Sequence, residues 1–404
     1  MRMKKGVPLL IAGILLIIFW LLAVYSVSIF ESFTTTLGSD DFEEPTNYFY
    51  FMKQIKALGI ALFAVLVLRK LPLINLLKSH KFASFCMLFA LWFQLLVFTP
   101  FFKPATDDGT FNGANGWLIF PWFGSVQPVE IFKLAYVLFL SSWLIRRKDE
   151  INKPWFIGFF IFICALLYAV LLFVPDFWSV LIMGGTALLM VRFSWLSIKK
   201  TFTILLLWLF AWVFAWFSMY LINPKYNYIQ KRFANFFSSD KKENQQTEQW
   251  QNEQALMAIW WWWFFGQGLG KGLQKFWNVP EAQSDFIFAA FSEEIWFFWN
   301  MILLGLYVFI FWYSLRCLQD LKDPHLKMIW IGILSILMVQ TFVHIWVNIQ
   351  IVPNTWVTLP FVSSWGTSIL ISCIELFLLY KIIISEWQPV ESLFWKKENE
   401  KLWK

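Results

Sequence analysis

Apolar residues in this chain do not alternate with polar ones; they come in long, nearly uninterrupted runs. Roughly 7–30, 49–68, 82–102, 128–145, 154–174, 176–191, 201–222, 286–315, 328–350 and 359–385 are dominated by Phe, Leu, Ile, Val and Trp. A helix crossing a bilayer core needs about 20 such residues. The pattern predicts an all-α, polytopic membrane protein of about ten transmembrane helices, forming one domain over 1–404. Only Pro175 and Asp176 separate the fifth and sixth runs, which predicts a tight re-entrant hairpin or a short pair. The longest polar interruption, 223–285, predicts an extramembrane loop between helices seven and eight, and 386–404 a polar tail.

Charge adds an orientation. Most of the 33 Lys and Arg fall in alternate connecting segments, among them Lys4, Lys5, Arg69, Lys70, Lys78, Lys81 and Arg146–Lys148. Basic residues concentrate in cytoplasmic loops, so both termini are expected inside and the 223–285 loop outside. The +7 net charge follows from this bias and implies no nucleic-acid partner. Met1–Lys5 before Val7–Phe30 has the outline of a signal sequence. The apolar stretch is too long for a cleaved one and no small-x-small site follows, so a retained first helix is expected. Cys86, Cys164, Cys317 and Cys373 form no CxxC pair and read as small buried hydrophobes.

The candidate chemistry centres on Gly266–Lys275, a glycine-rich basic loop, followed by Asp285 just before the apolar run from Phe286. Glycines let backbone approach a ligand closely, and Lys271 and Lys275 offer point charges to a phosphate. The pattern reads as a carboxylate at the mouth of a membrane helix, facing a flexible cationic loop; a helix cap is the plainer role for the same aspartate. Glu130 and Lys133, three apart after Pro128, share a helix face just inside the bilayer. Ionisable groups there face a cavity or each other, and both a structural pair and a substrate-facing one fit. Asp176 reads as a helix cap. Arg232 follows Tyr226, Tyr228 and Lys231 in the long loop. His344 and Asn348 lie four apart on one face, where packing is the expected role of the histidine. Ser363 and Ser364 belong to the hydroxyl-rich start of the last helix, a place whose backbone donors suit an anion.

Together these stretches resemble the SEDS family of shape, elongation, division and sporulation proteins (FtsW, RodA and SpoVE). Pro280-Glu-Ala-Gln-Ser-Asp-Phe-Ile-Phe-Ala resembles the family's PEAHTDFIFA, and Ser292-Glu-Glu-Ile its following EEL. Gln127-Pro-Val-Glu-Ile-Phe-Lys is similar to QPSExxK, Pro175-Asp-Phe to PDLG, and Leu359–Ser368 to LPFVSYGGSS. The matches run in family order along essentially the whole chain, and the glycine loop is closer to the FtsW and SpoVE branch. The resemblance implies a peptidoglycan glycosyltransferase of the bacterial cytoplasmic membrane that polymerises lipid II, with Asp285 as catalytic acid/base. It implies Glu130 and Lys133 lining a central cavity. Lys271, Lys275, Arg232 or a divalent cation (Mg or Mn) would meet the leaving pyrophosphate. Membrane lipids and a class B penicillin-binding protein, a transpeptidase, are the implied partners. A lipid II flippase and a non-catalytic scaffold that activates that transpeptidase remain open as alternatives.

Several positions depart from the family. Gln283 stands for its His, Ser284 for its Thr, and Gly116 for the arginine before Trp117. Family glycines recur as tryptophan at Trp178, Trp260, Trp261, Trp262, Trp263, Trp296, Trp299, Trp346, Trp356 and Trp365. The chain holds only 18 glycines in 404 residues, below the roughly 7% of an average protein, although small residues are what let membrane helices approach. Many of these tryptophans are therefore expected to be glycine in the cell, from UGA codons read there as glycine. The competing reading is a genuinely tryptophan-rich protein with interfacial belts.

Overall fold

The computed structural model describes residues 2–37, 44–99, 116–120, 124–174, 176–194, 196–222, 248–261, 266–277, 285–295, 297–353 and 357–386. Arg232, Gln283, Ser284, Trp262, Trp263, Trp296, Trp356 and the tail beyond Glu386 lie outside the described residues. The described elements are helices apart from one small hairpin. It runs α1 (Arg2–Val27), α2 (Ile29–Leu37), α3 (Phe49–Lys70), α4 (Leu73–Leu77) and α5 (His80–Leu95). The hairpin β1 (Leu118–Phe120) and β2 (Gly124–Val126) follows, antiparallel with Leu118 opposite Val126. Then come α6 (Pro128–Arg146), α7 (Pro154–Phe173), α8 (Phe177–Phe193), α9 (Ile198–Ile222), α10 (Glu248–Trp261) and α11 (Gln274–Trp277). The chain continues through α12 (Ile287–Glu294), α13 (Phe297–Cys317), α14 (Pro324–Asn348) and α15 (Gly366–Glu386).

Eight of the described helices are long and apolar enough to cross a bilayer; α8 is a shorter apolar helix. Their starts follow local chemistry. Pro128 and Pro324 occupy the first turns of α6 and α14, where a missing N–H costs nothing. The Asp323 carboxylate caps α14 by accepting from His325 N and Leu326 N at 2.9 and 3.1 Å. Asp176 caps α8 through Ser179 N at 3.0 Å, so the fifth and sixth runs form a pair of helices. Two predicted runs are interrupted. The 286–315 run breaks at Ile295, which is extended, into the short α12 and the long α13. The 359–385 run becomes helical only at Gly366. Pro360 disfavours helical backbone at Leu359, and Phe361 is left-handed at φ 65°, a conformation bulky residues rarely adopt.

Three helices form the centre: 78% of the apolar window is buried in α6 and in α14 and 72% in α15, against 11% in α3. Gly332 on α14 makes this possible, because a methyl there would lie 2.5 Å from Val137 on α6 and 3.0 Å from Met190 on α8. Small residues of this kind let helix backbones approach in a membrane. Charges gather at one end of the bundle. Lys5 pairs with Asp320 at 2.7 Å and Lys78 with Asp323 at 2.6 Å, while Glu386 accepts from Asp323 N at 3.0 Å. These are segments that the basic-residue pattern places inside.

Candidate functional site

At the opposite ends of α1 and α14 the chain builds its most polar interior. Asp285 precedes α12 and is buried, as are all eight residues of that helix. It is held by Asn348, the last residue of α14: the Asn348 Nδ2 donates to the Asp285 carbonyl at 3.1 Å, and its Oδ1 accepts from Ala289 N at 3.1 Å. One amide thus bridges the residue before α12 and its first turn.

The other end of α12 carries Glu293 and Glu294, and the glycine loop rests on them. Gln267 N and Gly268 N donate to the Glu293 and Glu294 carbonyls at 3.0 and 2.9 Å. Leu273 N reaches Glu293 Oε1 at 3.0 Å and Gly270 N reaches Glu294 Oε2 at 3.1 Å. Gly266, Gly268 and Gly270 have φ of 57°, 97° and 80°, so glycine is needed here for backbone shape. This corrects the expectation of a flexible loop: its backbone donors are taken by the carbonyls and the buried carboxylates of Glu293 and Glu294. Lys271 is exposed. Lys275 is not, its Nζ lying 2.5 Å from Glu294 Oε1 with the side chains 1% and 0% exposed.

A second polar cluster lies deeper. Lys133 Nζ sits 2.8 Å from Glu130 Oε2 and donates to Gln340 Oε1 at 2.7 Å. Gln340 Nε2 donates to Thr358 Oγ1 at 2.6 Å, and Ser368 Oγ donates to the same hydroxyl at 3.0 Å. Glu375 on α15 is also buried within electrostatic range of Lys133 and Glu130. The two clusters are joined along one stripe of α14. Gln340 holds Lys133, the His344 ring bonds the Val357 carbonyl at 2.7 Å, and Asn348 holds Asp285. Spaced by four, these three residues share a helix face over about 12 Å.

Of the residues singled out in the sequence, Asp285, Glu130, Lys133, His344 and Asn348 fall on this connected system. Ser363 is spent on the turn before α15: its hydroxyl accepts from Leu359 N at 2.7 Å and its carbonyl from the Trp20 indole at 3.2 Å. The Ser364 carbonyl takes the Gln54 amide. Gln340, Thr358, Ser26 and Glu375 join the system without a motif to announce them. Among the tryptophans, Trp299 and Trp346 are 50% and 44% exposed, Trp365 stacks on Trp117 at 4.1 Å, and Trp178 packs beside Val343 and Val357. Trp260 and Trp261 close α10. Among the described residues no three or more His, Cys, Asp or Glu are placed to hold a metal, and Glu130 and Glu294 already face lysines. These residues do not form a resident divalent-cation centre.

A helical membrane fold with a buried aspartate at a helix start, an acidic pair pinning a glycine loop and a central Glu–Lys pair defines the class. The profile of the FtsW/RodA/SpoVE cell cycle proteins matches residues 9–387, and the chain belongs to that family. It is 30% identical over 381 residues to a probable peptidoglycan glycosyltransferase FtsW of Alcanivorax borkumensis, covering 93% of this chain and 92% of that one. A second FtsW of the same description, from Xanthomonas oryzae, is 31% identical over 301 residues, 73% of this chain and 59% of the relative's length. Among solved structures, a chain of a peptidoglycan synthase complex that coordinates polymerization and crosslinking superposes with a TM-score of 0.67. It is 20% identical, over 92% of this chain and 98% of that one.

Proposed function

We propose that this protein is a peptidoglycan glycosyltransferase of the bacterial cytoplasmic membrane that polymerises lipid II, with Asp285 as its general base. Family membership and the placement of Asp285 support the reading together. The carboxylate sits at the start of a fully buried helix whose position is set from both ends, as a base that must meet one proton requires. The acceptor sugar's 4-hydroxyl gives its proton to Asp285 as its oxygen attacks the donor's anomeric carbon. The bond from that carbon to the pyrophosphate breaks with inversion, and undecaprenyl pyrophosphate leaves. Fixed cations stabilise such a leaving group. Lys271, the exposed lysine of the glycine loop, and Arg232 are the residues assigned to it, and a divalent ion (Mg or Mn) would arrive with the substrate's phosphates. A class B penicillin-binding protein is the proposed partner.

The test is glycan polymerisation from purified lipid II. Asp285→Asn abolishes it while leaving the melting profile unchanged; a fully active Asp285→Asn protein removes the assignment. Wild-type protein that moves lipid II across vesicles without forming polymer would make it a flippase. Activation of a transpeptidase that survives in Asp285→Asn, without intrinsic polymerisation, would make it a scaffold.

A further inference from the structure

Three groups from separate segments meet away from solvent: Ser26 in the last turn of α1, Lys275 in α11 and Glu294 at the end of α12. Lys275 Nζ is 2.5 Å from Glu294 Oε1 and donates to the Ser26 carbonyl at 2.7 Å. The Ser26 hydroxyl donates to Glu294 Oε2 and accepts from Gly270 N at 2.6 Å. Glu293, beside it, accepts from Gln267 Nε2 at 3.1 Å. The loop is seated without a gap. A methyl at Gly266 would lie 2.7 Å from the Glu294 carbonyl oxygen, and one at Gly272 2.9 Å from Glu294 Cγ.

A lysine that waits for a phosphate keeps its ammonium accessible, as Lys271 does. Lys275 has instead surrendered its ammonium to a carboxylate and a carbonyl. Burying a charge pair is costly unless its groups find partners, and here Lys275 finds the Ser26 carbonyl of α1 on one side and the Glu294 carboxylate of α12 on the other. Because all of α12 is buried and Asp285 stands two residues ahead of Ile287, displacing the Glu294 end moves the Asp285 end, about 12 Å away along a stiff helix.

We propose that Ser26, Lys275 and Glu294 are positioning residues: their clasp fixes α12 against α1 and so sets where the Asp285 carboxylate stands, and Lys275 does not touch the pyrophosphate. This rests on Asp285 being the base. A misplacement of about 1 Å at a reacting group costs roughly a hundredfold in rate. Lys275→Met and Glu294→Met are therefore expected to lower kcat about ten- to hundredfold with KM unchanged. The double variant recovers much of that loss, because no lone buried charge is left. Ser26→Ala lowers kcat in the same sense by a smaller factor. A raised KM in Lys275→Met, with the double variant no better than the single, overturns the proposal and returns Lys275 to the substrate. Amide hydrogen exchange provides a readout independent of turnover. Gly268, Gly270 and Leu273 N–H groups are protected in wild type and exchange faster in Ser26→Ala; rapid exchange in wild type overturns the clasp. Wild-type protein that forms no polymer removes the glycosyltransferase reading instead, and the exchange data still judge the clasp.

Discussion

Asn348 offers the sharpest test of how Asp285, the proposed base, is held. Its amide makes three bonds, to the Asp285 carbonyl, the His344 carbonyl and Ala289 N, at 3.1, 2.9 and 3.1 Å. Asn348→Leu keeps the size of the side chain and removes all three. The His344 carbonyl lies inside α14, where the i+4 N–H supplies a donor, so its loss is small. The Asp285 carbonyl and Ala289 N are different, because both sit in a fully buried stretch. A buried polar group deprived of its partner costs about 1–3 kcal/mol; two of them give about 2–6 kcal/mol. That energy is relieved only if α12 moves, which takes Asp285 with it.

The expected result is a lower melting temperature in lipid nanodiscs and a loss of lipid II polymerisation of about tenfold or more. Asn348→Asp separates the two contacts. It keeps an acceptor for Ala289 N but sets a buried carboxyl against the Asp285 carbonyl, so stability falls at least as far as in Asn348→Leu and activity falls with it. Asn348→Leu protein with wild-type turnover would show that α12 finds its place without α14, and the bridging argument would fail.

Lys133→Met leaves Glu130 as a lone buried charge, and loss of one partner of such a pair costs about 3–5 kcal/mol. The Glu130→Gln/Lys133→Met double variant should melt closer to wild type, and equal melting of the two variants would refute an ion pair. Burial raises the Asp323 carboxyl, but Lys78 and the Leu326 and His325 N–H groups outweigh it and leave it below the usual 3.8. A depressed carboxyl contributes stability above the unfolded value, and that contribution fades as pH falls through the lower folded value. Asp323→Ala should therefore cost about 1 kcal/mol at neutral pH and nothing at the acid end of a melting series; a constant difference across pH would refute the linkage. Peptide mapping of the protein from its native cell should find glycine at the positions of Trp299 and Trp346. Trp20 and Trp330, fully buried with their indole N–H groups bonded to carbonyls, should remain tryptophan. Tryptophan at 299 and 346 would end the recoding idea.

The parts of the fold written in local composition were legible beforehand. Apolar runs predicted the helices, Asp176 its cap, and Pro128–Lys133 a helix start carrying an ion pair. What composition does not carry is which distant group completes a local one. The glycines of 266–272 read as freedom, yet Gly268 N is taken by the Glu294 carbonyl and Gly270 N by the Glu294 carboxylate, more than 20 residues further on. Ser26 lies in an apolar run, and no spacing links it to Lys275. The break at Ile295 is invisible in a continuous run of apolar residues. His344 and Asn348 shared a predicted face, but Asn348's partner lies 63 residues away.

Those long-range closures also explain why the two polar clusters behave as one system. A charge in a membrane interior needs its partners fixed, since no solvent can replace a contact that drifts. Lys133 is fixed by Gln340, and Gln340 by Thr358. Asp285 is fixed by Asn348, two helical turns further along the same face of α14. A rotation of α14 therefore cannot improve one contact and spare the other. Any movement that exposes Asp285 must carry α14 as a unit or leave it still. With most of its apolar length buried and Gly332 seated against α6 and α8, α14 is the element with the least room to move, and it holds both clusters in one frame.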